Sequence, residues 1–384
     1  MKPKALFVML ILWLSFTTIQ ARSTEDVPDK GTYAKFLLVG CYMKPDEEGV
    51  RMYRFDGQTA DVDYPCGLRG ISNPAFLTSD STGNRIYAIC DDEGKSSTAN
   101  ALLFDKESGL LSLLNSQSTD GELPIYITLS PKEYFVLTAN YKGGSITVFS
   151  QDKKGKLQRD TKIIRFAGNG PNKKRQEQSH LHCVTFTPDG KFLLATDLGT
   201  DCIYLFPIGK RPEAGKAHSL LDESRVVRIQ MDSGSGPRHI SFHPNGRFAY
   251  LISELSGKIT GFSYNEGKLE RLQTIVCDPF VAEGNADIHV SSDGTFLYAS
   301  KHLKEDGIIV YSIDSQNGTL VQIGFQPTGL YPRSFAISPD GCYLAVVCRD
   351  ANCIQIFERN RNTGLLKNTG KNIRLERPAF VKFL

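Results

Sequence analysis

Six side chains able to hold or move charge recur at equivalent places in a repeating pattern: His182, Arg238, Glu254, His302, Arg333 and Arg349. Each stands eight residues from a tight-turn glycine, before it for His182, Arg238 and Arg333 and after it for Glu254, His302 and Arg349. The equivalent earlier positions in other copies are Ala75, Ile125, Ala286 and Ala379, and the equivalent later ones are Asp91, Tyr141 and Leu198. A packed strand has no use for arginine. Arg238 and Arg333 therefore point to an anionic ligand, because a guanidinium presents paired donors to a carboxylate or phosphate. The competing expectation is that they pair with Glu254, Asp287 or Asp197 and only fill space. A histidine and a glutamate beside such arginines can exchange a proton with water or with a substrate carbon. The arginines would stabilise the oxyanion or enolate that forms. His182, Glu254 and Arg238 are the catalytic candidates; Arg333, His302 and Arg349 are candidates for substrate binding.

His180 lies two residues from His182, on the same face of a strand, and such a pair can ligate a metal. No further His or Cys cluster has matching spacing, so no metal and no other cofactor is expected. His239 and His289 read as supporting residues.

The elements that must position these side chains come from an internal repeat. Each copy opens near a proline, runs as an apolar strand, turns, and continues through further strands. The opening positions are Pro74, Pro124, Leu181, Pro237, Asn285, Pro332 and Pro378. The turns carry Asp189-Gly190, Asn245-Gly246, Asp293-Gly294 and Asp340-Gly341, pairs that accept the positive φ of a tight hairpin. Runs rich in Val, Ile, Phe, Tyr and Leu flank them. No helical periodicity is sustained. A four-stranded unit at this spacing fits a propeller blade. The seventh copy, from Arg377, has only a first strand before the chain ends, while 36–42 and 49–55 match a second and third strand with no first. The two ends therefore complete one blade, which predicts an all-β, seven-bladed propeller whose ring is closed by N- and C-terminal strands. The only tryptophan, Trp13, lies outside the repeats, and no Trp-Asp signature recurs, which argues against a WD-type interaction platform.

Lys2, Lys4 and the apolar run from Ala5 to Phe16 read as a signal peptide ending near Ala21. The expected organisation is a leader over 1–21 and one propeller domain over 22–384, exported to the periplasm or secreted. After cleavage no stretch is apolar enough to span a membrane. A net charge of +3 is too mild to predict nucleic-acid binding. The nine cysteines lack a regular disulfide spacing and read mostly as small buried apolar residues. Cys348 and Cys353 are placed to meet on neighbouring strands and to pair in an oxidising compartment.

Several motifs resemble the lactonase family of seven-bladed propellers, which contains bacterial 6-phosphogluconolactonases and fungal carboxy-cis,cis-muconate cyclases. They are Arg175-Gln176 ahead of Ser179-His180-Leu181-His182, the run Thr196 to Asp201, Gly236-Pro237-Arg238-His239 with Ser253-Glu254-Leu255, and Ala286-Asp287-Ile288-His289. The resemblance covers roughly Tyr33 to Leu384. It implies a channel site of one His, two Arg and one Glu. His182, Arg238 and Glu254 match the His, the first Arg and the Glu. The second Arg is absent where Ala299-Ser300-Lys301-His302 stands, and Lys301 or His302 takes its place. Arg175, His180 and Lys301 thereby join the expected substrate-binding set. The resemblance implies lactone hydrolysis on a small anionic metabolite such as a sugar-acid lactone. Two alternatives are a muconate-type cycloisomerase and a non-catalytic exported propeller that binds acidic sugars or a protein.

Overall fold

The computed structural model describes residues 35–91, 97–210, 212–277 and 284–384. The expected leader, and residues 22–34 of the expected domain, lie outside the described residues. Residues 33–384 form one compact unit. It contains seven four-stranded antiparallel sheets. Their first strands are Leu77–Ser79, Pro124–Leu129, Leu181–Phe186, Pro237–Phe242, Asn285–Val290, Pro332–Ile337 and Pro378–Phe383, which define blades 1 to 7. First strands of successive blades contact one another and line a central channel.

Blade 7 joins the chain ends: Pro378–Phe383 pairs antiparallel with Lys35–Cys41, in register Val39 to Val381 and Leu37 to Phe383. The strands Val50–Phe55 and Val62–Leu68 complete it. The predicted architecture and its closure are what the chain adopts.

Apolar faces of neighbouring sheets form the core. One layer lies between each pair of blades, such as Tyr250, Ile252 and Ile259 of blade 4 against Leu297, Ile309 and Tyr311 of blade 5. Second-strand tyrosines add a repeated latch. Tyr87, Tyr250 and Tyr298 are fully buried. Each donates its hydroxyl to a glycine carbonyl of the next blade: Gly155 at 3.1 Å, Gly318 at 2.9 Å and Gly364 at 2.7 Å. A buried hydroxyl requires such an acceptor, and each bond contributes about 1 kcal/mol.

The first hairpin of each blade sets the direction of the channel. The αL turn position is filled by Gly190, Gly246, Gly294 and Gly341, with φ of 65° to 74°, as the Asp-Gly and Asn-Gly pairs predict. Glu133 takes the same position in blade 2 with φ 56°. These turns mark one end of the channel. The start of strand one and the end of strand two mark the other, called the mouth below.

Candidate active site

Two backbone features bring side chains to the mouth. The first is a β-bulge. In blades 2 to 7 the ladder between first and second strands slips by one residue near its start. The residues inside the slips include Ile125, His182, Arg238, Ala286, Arg333 and Ala379. A bulged residue has no partner across the ladder and is re-aimed. His182, Arg238 and Arg333 are therefore aimed by the same backbone device.

The second feature is a backbone hydrogen bond that fixes the residue just after strand two. The amides of Tyr42, Tyr141, Leu198, Glu254, His302 and Arg349 donate to Arg377, Leu123, His180, Gly236, Gly284 and Tyr331, at 2.8 to 3.0 Å. Asp91 makes the same closure to Ser72 at 3.2 Å. Seven side chains thus ring the mouth. Six are those expected. The seventh, Tyr42, escapes sequence counting because its strand lies at the opposite end of the chain from its blade's first strand. Its ring has Arg333 and Arg377 at 5.4 and 5.3 Å.

Glu254 is the hub. Its Oε2 accepts from Arg238 Nε at 3.0 Å and lies 3.7 Å from His182 Nε2. Its Oε1 accepts from Arg175. Burial pushes the Glu254 carboxyl up, but Arg238 and Arg175 outweigh it and hold the group below its ordinary value. Arg238 pairs with Glu254 rather than with Asp197 or Asp287, and a second nitrogen donates to the Ala286 carbonyl.

His182 is held well below its usual pKa, by burial first and then by the charges of Arg238, His239 and Arg333. At neutral pH it is an uncharged imidazole, and its Nδ1 has no hydrogen-bond partner among the described residues. His302 is lowered to about 4 by burial, with Arg238, Arg333 and Arg349 adding to the effect against the opposing charge of Glu254. It stacks on Tyr331 at 3.9 Å, and Arg349 lies 3.6 Å over the same ring. Tyr331 has φ 60°, a conformation that costs a bulky residue on the order of 1 kcal/mol.

Arg175 arrives on a strap between blades 2 and 3 that reaches over the mouth. Gln176 anchors it: fully buried, it donates to the Leu198 carbonyl at 2.8 Å and to Asp201 Oδ1 at 2.7 Å. Asp201 in turn accepts from the Gly236 amide at 2.8 Å, which ties the strap to the strand that carries Arg238. Asp197 receives Ser179 Oγ, the His180 amide and Thr200 Oγ1, each at 2.7 Å. Asp197 and Asp201 thus brace the site from behind.

Two expected substrate contacts are placed elsewhere. Lys301 immediately precedes His302, and successive strand residues point to opposite faces. With His302 at the mouth, the Lys301 ammonium lies 4.9 Å from the Phe325 ring on the blade's outer strand and 3.3 Å from Glu305. His180 uses both ring nitrogens on protein groups, the Tyr141 carbonyl at 3.0 Å and Glu177 at 3.2 Å, and stacks on Tyr141. It buttresses the mouth. Among the described residues no three His, Cys, Asp or Glu side chains converge in a metal-binding group. Cys348 and Cys353 are register partners as expected, and both are free thiols.

Beneath the mouth, His239 Nδ1 meets Asp287 Oδ1 at 2.9 Å. The His239 ring also lies 5.2 Å from that of His182.

A family model described as "Lactonase, 7-bladed beta-propeller" matches residues 36–383. A 6-phosphogluconolactonase of Formosa agariphila is 33% identical over 340 residues, covering 86% of this chain and 94% of that protein. The crystal structure of a Bacteroides fragilis protein provisionally described as a 6-phosphogluconolactonase is 42% identical, with a TM-score of 0.87 over 93% of this chain and 99% of that one. The periplasmic gluconolactonase of Pseudomonas aeruginosa is 28% identical, with a TM-score of 0.82 over 91% and 99%. With fold, ring closure and motifs in agreement, this chain belongs to the seven-bladed β-propeller lactonase family.

Proposed function

We propose that the chain hydrolyses the lactone of a sugar acid, with 6-phosphogluconolactone as the first substrate to test. The observation that carries the reading is the meeting of His182, Arg238 and Glu254 on one carboxylate oxygen, Glu254 Oε2, under a cationic mouth. Arg333 and Arg349 hold the substrate's anionic group. Arg238 stabilises the oxyanion formed when water adds to the lactone carbonyl. Glu254 and His182 take the proton from that water and return it to the ring oxygen as the C–O bond breaks, leaving a hydroxy acid. Before substrate arrives, burial and the charges of Arg238, His239 and Arg333 make His182 a weak base, and Arg238 and Arg175 do the same for Glu254. An anion on Arg333 offsets part of the charge acting on His182 and raises its basicity at the moment of use.

A cycloisomerase of the muconate type asks for a second guanidinium where Lys301 stands, and the position of Lys301 over Phe325 favours the hydrolytic reading. Export to the periplasm or beyond belongs to the same proposal. It is supported by the leader pattern and by the periplasmic relative, and is checked by fractionation with N-terminal sequencing, which should find a mature chain beginning near Arg22.

The test is acid release from 6-phosphogluconolactone and from gluconolactone in a pH-stat. Turnover above the spontaneous rate, with a lower KM for the phosphorylated lactone, is expected. No acceleration of either refutes the assignment.

A further inference from the structure

The first strands continue past the active site to the turn end of the channel. The residues just beyond the bulge cross the channel as a layer: Phe76 lies 4.1 Å from Tyr126 and 4.5 Å from Phe380, and meets His239 edge-on at 6.1 Å. Beyond this layer the channel opens into a cavity of about 580 Å³. Its volume is that of small-molecule sites in general, and its lining mixes phenylalanine and aliphatic side chains with polar ones such as Thr185, Ser241, Ser292 and Ser338.

Phe186, Phe242, Phe335 and Phe383 are among its walls, and His289 and Lys382 bring charge to it. The His289 side chain is 44% exposed, set edge-on against Phe335 at 4.8 Å, with Nε2 3.1 Å from Asp287 Oδ2. Asp287 is committed to the protein: it also receives His239 at 2.9 Å and Ser334 Oγ at 3.0 Å. Its charge is already divided between two imidazoles and is not offered to Lys382. Lys382 is half-buried and makes no hydrogen bond or ion pair among the described residues. Burial lowers its pKa, with only the charge of Asp80 opposing. A half-buried ammonium with no paired carboxylate has lost part of its hydration, and an anion brought beside it offsets that cost. The phenylalanine rings beside it favour an apolar body on the rest of the anion.

We propose that this turn-side cavity is a second ligand site, separate from the mouth, which binds a small amphipathic carboxylate. The carboxylate rests on Lys382, and the apolar body lies against Phe186, Phe242, Phe335 and Phe383. The site does not depend on the lactonase reading, since none of these five residues takes part in the chemistry at the mouth.

The probe is 3-phenylpropionate, with 3-phenylpropionamide as its uncharged control, titrated calorimetrically into the full chain. The acid should bind with 1:1 stoichiometry, and the amide at least about tenfold more weakly, the loss expected for one charge-assisted hydrogen bond. Lys382→Met, a swap of similar volume, should weaken the acid about tenfold while lactone turnover stays as in the parent. Arg333→Met, altered only at the mouth, should bind the acid unchanged. Equal affinity for acid and amide overturns the proposal, as does full affinity in Lys382→Met. Loss of binding in Arg333→Met places the ligand at the mouth and overturns it too, as does absence of binding up to about 10 mM. The amide control and the Arg333 variant decide the matter even if Lys382→Met fails to fold.

Discussion

Glu254→Gln separates a catalytic carboxylate from a mere counter-ion. Three groups lean on Glu254: Arg238 at 3.0 Å, Arg175, and His182 at 3.7 Å. A glutamine keeps the shape and one oxygen, so one guanidinium keeps an acceptor while the other faces an amide N–H₂. Removing one partner of a buried ion pair outright costs roughly 3–5 kcal/mol. Arg238 is 5% exposed, but it retains the Ala286 carbonyl, and Arg175 is 39% exposed and can turn to water. The expected loss of stability is therefore about 1–3 kcal/mol, a fall of several degrees in Tm. Activity should suffer more. Losing the proton acceptor lowers kcat by about 10²- to 10⁴-fold, or roughly 3–5 kcal/mol of barrier, with the remaining arginines still binding the lactone. The assay is pH-stat hydrolysis beside a melting curve on the same preparation. A kcat within about threefold of the parent, together with the expected drop in Tm, would show that Glu254 only neutralises arginines.

Arg333→Met should raise KM for the phosphorylated lactone by about 10- to 100-fold with a smaller change in kcat, because the residue grips the anion outside the reacting centre; an unchanged KM removes it from binding. Lys301→Met should leave both constants near the parent's, since the ammonium sits over Phe325, and a large rise in KM would contradict that placement. Stability should fall with acid. His239 and His302 are each lowered from 6.5 to about 4, and His182 is held well below 6.5. Between these limits the unfolded chain binds protons that the folded one refuses, so their contribution is complete above pH 6.5 and is lost as pH falls towards 4. Three such protons set a slope of at most about 4 kcal/mol per pH unit. His289, raised by Asp287 against the effect of burial, is charged in both states there and does not oppose the trend. Melting curves from pH 7 to 4 should show a steep decline, and a flat profile refutes neutral burial of these histidines.

The ring was legible because each blade repeats its own turn chemistry, and its closure because the seventh copy stops after one strand. His182, Arg238 and Arg333 were found by counting from those turns. The reason they converge, a bulge at the same step in blades 2 to 7, leaves no mark in composition. Lys301 was misplaced because a motif match locates a residue along the chain to within a position, whereas a strand reverses its facing at every position. Tyr42 was missed for a topological reason: the blade that holds it is assembled from residues more than three hundred apart. The turn-side cavity has no motif at all. It follows from which residues the first strands bring together around the ring, which only the closed channel determines.

That assembly also governs how the chain reaches its native state. Pro378–Phe383 is the last strand made, and its partner Lys35–Cys41 is among the first. Six sheets can form as they are synthesised, but the channel has no finished wall until Pro378–Phe383 has been made and has paired with Lys35–Cys41. Until then Lys35–Cys41 has a bare edge, and the face that will meet blade 6 is uncovered. Contacts of such long sequence separation form late and slowly. A chain cut short by seven residues would therefore be a spiral with two adhesive ends, and not a six-bladed version of the same enzyme.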